Sequence, residues 1–136
     1  MNRTDFQQLA ELRLQDAEAM LQVGRYEAAY YLAGYAVECA IKACIAKRTG
    51  AESFPPRNAA RLYTHHFGTL LQAVDLEQPL RAAASPGSAF ARNWAVVEDW
   101  SEESRYTWPT EQDARALCQA IGDPQEGVLE WFRQRW

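Results

Sequence analysis

The fold is decided between Tyr26 and Lys47, where the chain reads YEAAYYLAGYAVECAIKACIAK. Small residues recur in this stretch every three or four positions, which places them on one face of an α-helix. They are Ala29, Ala33, Ala36, Ala40 and Ala43. Small side chains let a neighbouring backbone approach closely, while Tyr26, Tyr30 and Tyr35 fill the flanks. The pattern predicts a helix that is buried at the centre of a bundle.

The same stretch carries two charged residues near its middle, Glu38 and Lys42. A charge at the centre of a bilayer is costly, so the stretch is predicted to be a core helix and not a membrane span. The first residues of the chain do not begin an apolar segment of the kind found in signal peptides. We therefore expect a cytoplasmic protein that makes no membrane contact.

Length and composition indicate one globular unit. The chain has 136 residues, of which 48% are hydrophobic, and we expect a single helical domain over residues 1–136. The formal net charge of −4 gives no general attraction for RNA, so an RNA contact needs a local basic patch. The odd cysteine count and the lack of a C-x-x-C spacing predict buried, reduced thiols at Cys39, Cys44 and Cys118.

Further helices are predicted before and after the central one. The first is expected from about Asp5 to Val23, with Thr4 as the N-cap of a capping box and Gly24 as its stop. After the central helix, which Gly50 is expected to end, a short helix is predicted over residues 66–74.

The C-terminal half contains three more helix signals. Residues 89–100 are predicted to be helical, with Pro86 suited to a first helical position. Thr110 is expected to cap the next helix together with Asp113, and Asp123-Pro124 to begin the last one. No alternating β-branched pattern occurs. The prediction is an all-α, antiparallel up-and-down bundle of four to five helices.

Four segments resemble the HEPN family, in the right order and over nearly the whole chain. The central helix, with GRYEAAY at its start and YAVECAIKA further on, is similar to the family's most distinctive helix. The stretch from Thr64 to Leu71 resembles its T-H-x-L segment, and the stretch from Trp100 to Tyr106 its W..sRY segment. The C-terminal VLEWF is similar to an ending that some members carry.

The resemblance implies a bundle of four or five helices, no cofactor, and often a homodimer. Many members are encoded beside a small nucleotidyltransferase and form a toxin–antitoxin pair with it. Some are metal-independent RNases, while others have lost catalysis and bind nucleotides or RNA. In the RNase members an R-x4–6-H motif supplies a His for proton transfer and an Arg for the phosphate charge.

The RNase motif is incomplete at its expected place. Arg92-Asn93 matches its opening, but none of the six residues that follow is a His. Arg61 and His66 have the formal spacing, although Leu62 follows the Arg and the pair lies in a different segment. Two interpretations of His66 stay open: an atypical catalytic residue with Arg61, or a histidine that caps the start of a helix.

Polar residues from distant segments are predicted to meet around Glu38 and Lys42, because two charges on so apolar a helix need further partners. The expected cleft consists of Glu38, Lys42, His65, Arg105 and Tyr106. It either binds a ligand or only ties the central helix to the later loop.

Trp100 and Trp108 flank the loop that carries Arg105, and they are candidates for stacking on a nucleobase or for packing within the loop. Trp94 and Trp131 have the spacing of core residues. The sequence contains no phosphate-binding glycine loop and no set of residues with metal-ligand spacing.

Two functions follow. The first is a non-catalytic HEPN-like protein that binds a nucleotide or an RNA end, partners a nucleotidyltransferase, or does both. The alternative is a metal-independent endoribonuclease toxin that uses Arg61 and His66.

Overall fold

The computed structural model describes residues 1–49 and 62–136. Within them the chain forms seven α-helices and no strand, which confirms the all-α prediction. Four helices have ten or more residues and three are shorter. In chain order they are α1 (Arg3–Gln22), α2 (Tyr26–Arg48), α3 (Phe67–Ala73), α4 (Glu77–Ala83), α5 (Ala89–Glu98), α6 (Glu111–Gly122) and α7 (Val128–Arg133). The predicted stop at Gly50 and the site candidate Arg61 lie outside the described residues.

Helix α2 is the centre of the bundle, as its pattern of small residues predicted. All five alanines of that pattern are fully buried. The helix contacts α1, α3, α6, α7 and a 3-10 turn at Glu102–Tyr106. A bidentate pair between Arg133 and Glu11, with both N–O distances 2.7 Å, joins α7 to α1 beside it. Four helices therefore pack on α2, while α4 packs on α3, and α5 on α6 and α7.

The N-terminal cap differs from the predicted one by two residues. Asn2, not Thr4, caps α1, and its side chain accepts a hydrogen bond from the backbone N–H of Asp5 at 2.9 Å. In turn, the Asp5 carboxylate accepts a hydrogen bond from the backbone N–H of Asn2 at 2.8 Å. Asn is an N-cap at least as good as Thr, and this frame also puts an acidic residue in the first turn. Gly24 ends the helix with φ of 77°, as predicted.

Helix α5 begins at Ala89, as predicted, whereas the predicted start of α7 was wrong; local side-chain bonds explain both. Ser88 caps α5, since its hydroxyl accepts from the Ala91 N–H at 3.0 Å, and Pro86 lies before the helix. Asp123 does not begin α7; its carboxylate accepts from the backbone N–H groups of residues 125 and 126 in a turn. Helix α7 starts only at Val128. The capping box of Thr110 with Asp113 is confirmed.

The three cysteines are buried, as predicted. Burial raises the thiol pKa of each of them, Cys39, Cys44 and Cys118, to about 11. Such thiols are almost entirely protonated at neutral pH and behave as small apolar groups. Within residues 1–49 and 62–136, no helix has both the length and the apolar content that a membrane crossing requires.

Candidate functional site

The buried carboxylate of Glu38 on α2 contacts two nitrogen-bearing side chains. Glu38 is 3% exposed, and its Oε1 accepts a hydrogen bond from Lys42 Nζ at 2.7 Å, one helical turn away. Its Oε2 lies 2.8 Å from His65 Nδ1, on the segment that leads into α3. Both carboxylate oxygens are thus occupied by protein groups. A buried charge requires such partners, because losing water is costly.

His65 continues the network to the 3-10 turn. Its Nε2 lies 3.2 Å from Glu102 Oε2, so the ring stands between two carboxylates. Because an ionised carboxylate can only accept hydrogen bonds, a ring nitrogen that carries a proton donates to the carboxylate beside it. The Tyr35 ring packs edge-on against the imidazole, with centroids 5.5 Å apart. We call Glu38, Lys42, His65 and Glu102 the Glu38 cluster.

Arg105 and Tyr106, which were predicted to belong to this cluster, have other contacts. Arg105 lies 4.8 Å above the Tyr106 ring. A hydrogen bond with Tyr31, and a second one with Tyr106, raise the pKa of the Arg105 guanidinium. The Tyr31 hydroxyl in turn donates to the Tyr35 hydroxyl at 3.2 Å. The two tyrosines on α2 therefore connect Arg105 to the cluster indirectly.

Sequence reasoning missed Glu102, although it belongs to the same W..sRY segment. A carboxylate three residues before Arg105 was the available signal, because His65 could use an acidic partner. The contacts of the Glu38 cluster all run between protein groups: the one with Lys42 lies within α2, and those of His65 with Glu38 and Glu102 join different segments. This geometry favours the structural interpretation, in which the cluster ties α2 to the segment before α3 and to the 3-10 turn.

Of the two roles predicted for Trp100, the structure supports packing, because Trp100 is a core residue. It is 4% exposed, and its Nε1–H donates to the Tyr30 carbonyl at 3.1 Å. Its ring stacks on Phe67 with centroids 5.3 Å apart. The indole fills the space over Gly34, where an added Cβ would lie 1.9 Å from the ring. Trp108 is 86% exposed and remains available for stacking.

A pocket of about 260 Å³ lies beside the Glu38 cluster, between α3, α4 and α5. His65 belongs to both, since its ring also lines the pocket. We call it the α3–α5 pocket. Its apolar part comes from side chains of all three helices, and its polar part from residues around them. The residues that line the pocket include His66, Phe67, Glu77, Arg81, Trp94 and Glu98.

His66 caps α3, in agreement with the second of the two interpretations given above. Its Nδ1 accepts a hydrogen bond from the Thr69 backbone N–H at 3.2 Å. This bond satisfies one of the free N–H groups at the helix start. The proposed catalytic partner, Arg61, lies outside the described residues.

The incomplete RNase motif is held by backbone contacts. Arg92 donates to the Gly87 carbonyl at 2.9 Å, and Asn93 donates to the Glu126 carbonyl at 2.9 Å. The positions where the motif requires a His are occupied by the fully buried Val97 and by two exposed carboxylates, Glu98 and Asp99. Among residues 1–49 and 62–136, no three His, Cys, Asp or Glu side chains are grouped so as to hold a metal ion.

The fold and the four sequence segments define a helical bundle built around one buried, alanine-rich helix. A family model described as HEPN domain matches residues 5–134. The chain therefore belongs to the HEPN family, and the resemblance seen in the sequence is confirmed. Membership indicates a function connected with nucleotides or RNA. No curated protein and no solved structure matches the chain.

Proposed function

We propose that this protein is a non-catalytic HEPN domain that binds a nucleotide or an RNA end in the α3–α5 pocket. The observation that carries the proposal is that the RNase motif lacks its His and that its remaining residues have structural contacts. Arg92 and Asn93 are tied to backbone carbonyls, and a carboxylate, Glu98, stands where a catalytic His would be. A carboxylate repels the phosphate that an RNase must approach.

The pocket itself supports ligand binding. Apolar and aromatic side chains with a few polar groups at the edge are typical of small-molecule sites. Phe67 and Trp94 supply aromatic surface, and His66, Arg81 and Glu98 supply polar atoms. The volume suits part of a nucleotide, such as its base, better than a whole one. A single base or a chain end is therefore the ligand we expect.

Binding can be tested by calorimetric titration with nucleoside monophosphates and short oligoribonucleotides. Trp94→Leu removes aromatic surface from the pocket and is expected to weaken binding at least tenfold. Trp108→Leu, which removes an exposed indole elsewhere, is the matched control and should leave the affinity unchanged. Equal loss in both variants, or no binding to the parent protein, would reject the pocket.

Catalysis is tested separately, by incubating the purified protein with RNA in the presence of EDTA. We expect no cleavage above that of a buffer control. Robust cleavage that disappears in His66→Ala would establish the alternative, an endoribonuclease toxin. The variant His66→Asn preserves a helix cap and separates a catalytic loss from a structural one.

We also propose a homodimer and a nucleotidyltransferase partner, as family membership suggests. Two large aromatic side chains near the 3-10 turn, Tyr106 and Trp108, are 75% and 86% exposed, which supports a contact surface. Light scattering of the purified protein at micromolar concentration should give twice the 15.5 kDa chain mass. A nucleotidyltransferase-like gene beside this one, whose product co-purifies with it, would support the second partner.

Two further expectations belong to this proposal. The chain should act as a single domain, and it should unfold in one cooperative transition that fluorescence and circular dichroism report at the same denaturant concentration. Its buried, protonated thiols suit a reducing, cytoplasmic location. Separate transitions for the two probes would argue against one domain.

A further inference from the structure

We infer that the α3–α5 pocket selects guanine among the nucleobases, and that Glu98 is the residue that determines this preference. The inference rests on the proposed function, because it assumes that a base enters this pocket. It adds the identity of the base and the group that reads it.

The reading group and a stacking surface lie on one helix face. Trp94 and Glu98 are four positions apart on α5, which makes them neighbours on its surface, and both line the pocket. A base that stacks on the Trp94 indole therefore has its edge beside the Glu98 carboxylate. Base stacking on an aromatic ring contributes to affinity for every base and does not discriminate among them. Discrimination among the bases therefore comes from hydrogen bonds to the edge of the base.

Glu98 is available for this role. Within the described residues it forms no ion pair or hydrogen bond with another side chain, and it is exposed. This distinguishes it from Glu38, whose two oxygens are both occupied. An ionised carboxylate presents two acceptors and no donor. It therefore favours a ligand edge with two neighbouring N–H groups.

The charges around the pocket favour a base over a phosphate. Arg81, the one lysine or arginine among the described lining residues, is paired with Glu77 at 2.6 Å. Two carboxylates, Glu77 and Glu98, thus contribute negative charge to the pocket, and the guanidinium is partly neutralised. A phosphate group placed here would meet like charge. We expect the sugar and phosphate to lie towards solvent.

Only guanine among the four RNA bases presents two adjacent donors, N1–H and the N2 amino group, to a carboxylate. Adenine and cytosine pair an amino group with a ring nitrogen acceptor, and uracil flanks its one N–H with carbonyl oxygens. Each of these places an acceptor against a carboxylate oxygen. A well-formed bidentate contact discriminates by about 10- to 100-fold in affinity.

The test is a calorimetric titration of the full-length protein with guanosine, adenosine, cytidine and uridine, which carry no phosphate. We expect guanosine to bind about 10-fold or more tightly than the others. Glu98→Gln should abolish this preference and improve adenosine relative to guanosine, because a glutamine amide suits the donor–acceptor edge of adenine. Asp99→Asn makes the same change of charge at the next residue, outside the pocket, and should retain the preference.

The outcomes separate the inference from the proposed function. Equal affinity for all four nucleosides, with loss of binding in Trp94→Leu, would overturn the guanine preference and leave the binding pocket standing. Retained preference in Glu98→Gln would overturn the role of Glu98. No binding of any nucleoside or nucleotide would reject both. Circular dichroism melting of each variant identifies any that fail to fold.

Discussion

Two neighbouring regions of this bundle use charged groups in opposite ways. In the Glu38 cluster, the carboxylate is buried, with one oxygen bound to Lys42 on the same helix and the other to His65 on another segment. In the α3–α5 pocket, Glu98 is exposed and forms no hydrogen bond or ion pair with a described side chain. His65 belongs to both regions, so they are separated by one imidazole ring.

The difference shows which charges hold the fold and which are left for a ligand. A buried ion network is strongly needed once it exists, because removal of one partner leaves the others uncompensated. An exposed, unpaired carboxylate adds little to stability. Substitutions in the two regions should therefore differ in their effect on stability and in their effect on binding.

The largest effect is expected for Glu38→Ala. This change leaves Lys42 and His65 facing a cavity without their common partner, and should lower the free energy of unfolding by about 3–5 kcal/mol. Urea denaturation measures it. The matched control is Glu27→Ala, an exposed glutamate on the same helix, for which less than about 1 kcal/mol is expected. Similar losses in both variants would show that the cluster is not a structural tie.

Gly34→Ala tests the packing of Trp100, which lines the α3–α5 pocket. The added Cβ would overlap the Trp100 ring, and the expected loss of stability is about 1–3 kcal/mol even after the better helix propensity of Ala. Trp100→Leu removes the obstructing ring, so Gly34→Ala should cost less in that background. If the loss of stability is the same in both backgrounds, the Trp100 ring does not occupy the space beside the Gly34 Cα.

A smaller effect is expected at the pocket edge. His66→Ala removes the cap of α3 and should cost about 1 kcal/mol in thermal or urea unfolding. His66→Asn supplies another good capping residue and should recover most of the loss. If Asn recovers nothing, the contribution of His66 to stability does not come from its bond to the Thr69 N–H.

The smallest change in stability is expected for Glu98→Gln. This carboxylate is exposed and unpaired among the described residues. The free energy of unfolding of the variant should therefore stay within about 0.5 kcal/mol of that of the parent protein. Its nucleoside preference should nevertheless change. A loss of several kcal/mol would place Glu98 with the Glu38 cluster as a structural residue.

The sequence predicted the central helix well because its signal is long. The small-residue pattern of α2 repeats over several turns, and each repeat adds to the same face. Short helices carry fewer repeats, so local side-chain bonds decide their ends. Asp123 illustrates this, since its carboxylate stabilises a turn that competes with a helix start.

The candidate site was predicted only in part, because its geometry depends on contacts between distant segments. The charges of Glu38 and Lys42 on an apolar helix indicated that partners exist, and His65 is one of them. No spacing in the sequence indicated that Glu102 would reach His65. The α3–α5 pocket was not predicted, because it arises from how two short helices, α3 and α4, lie relative to α5.

The close fit of Gly34 to Trp100 has a consequence for the evolution of this protein. The indole occupies the space that a side chain at position 34 would need. The two positions should therefore vary together among relatives: those that keep the tryptophan should keep glycine, and those that replace it should tolerate alanine or serine. Sequence covariation between residues so far apart in the chain would record this packing.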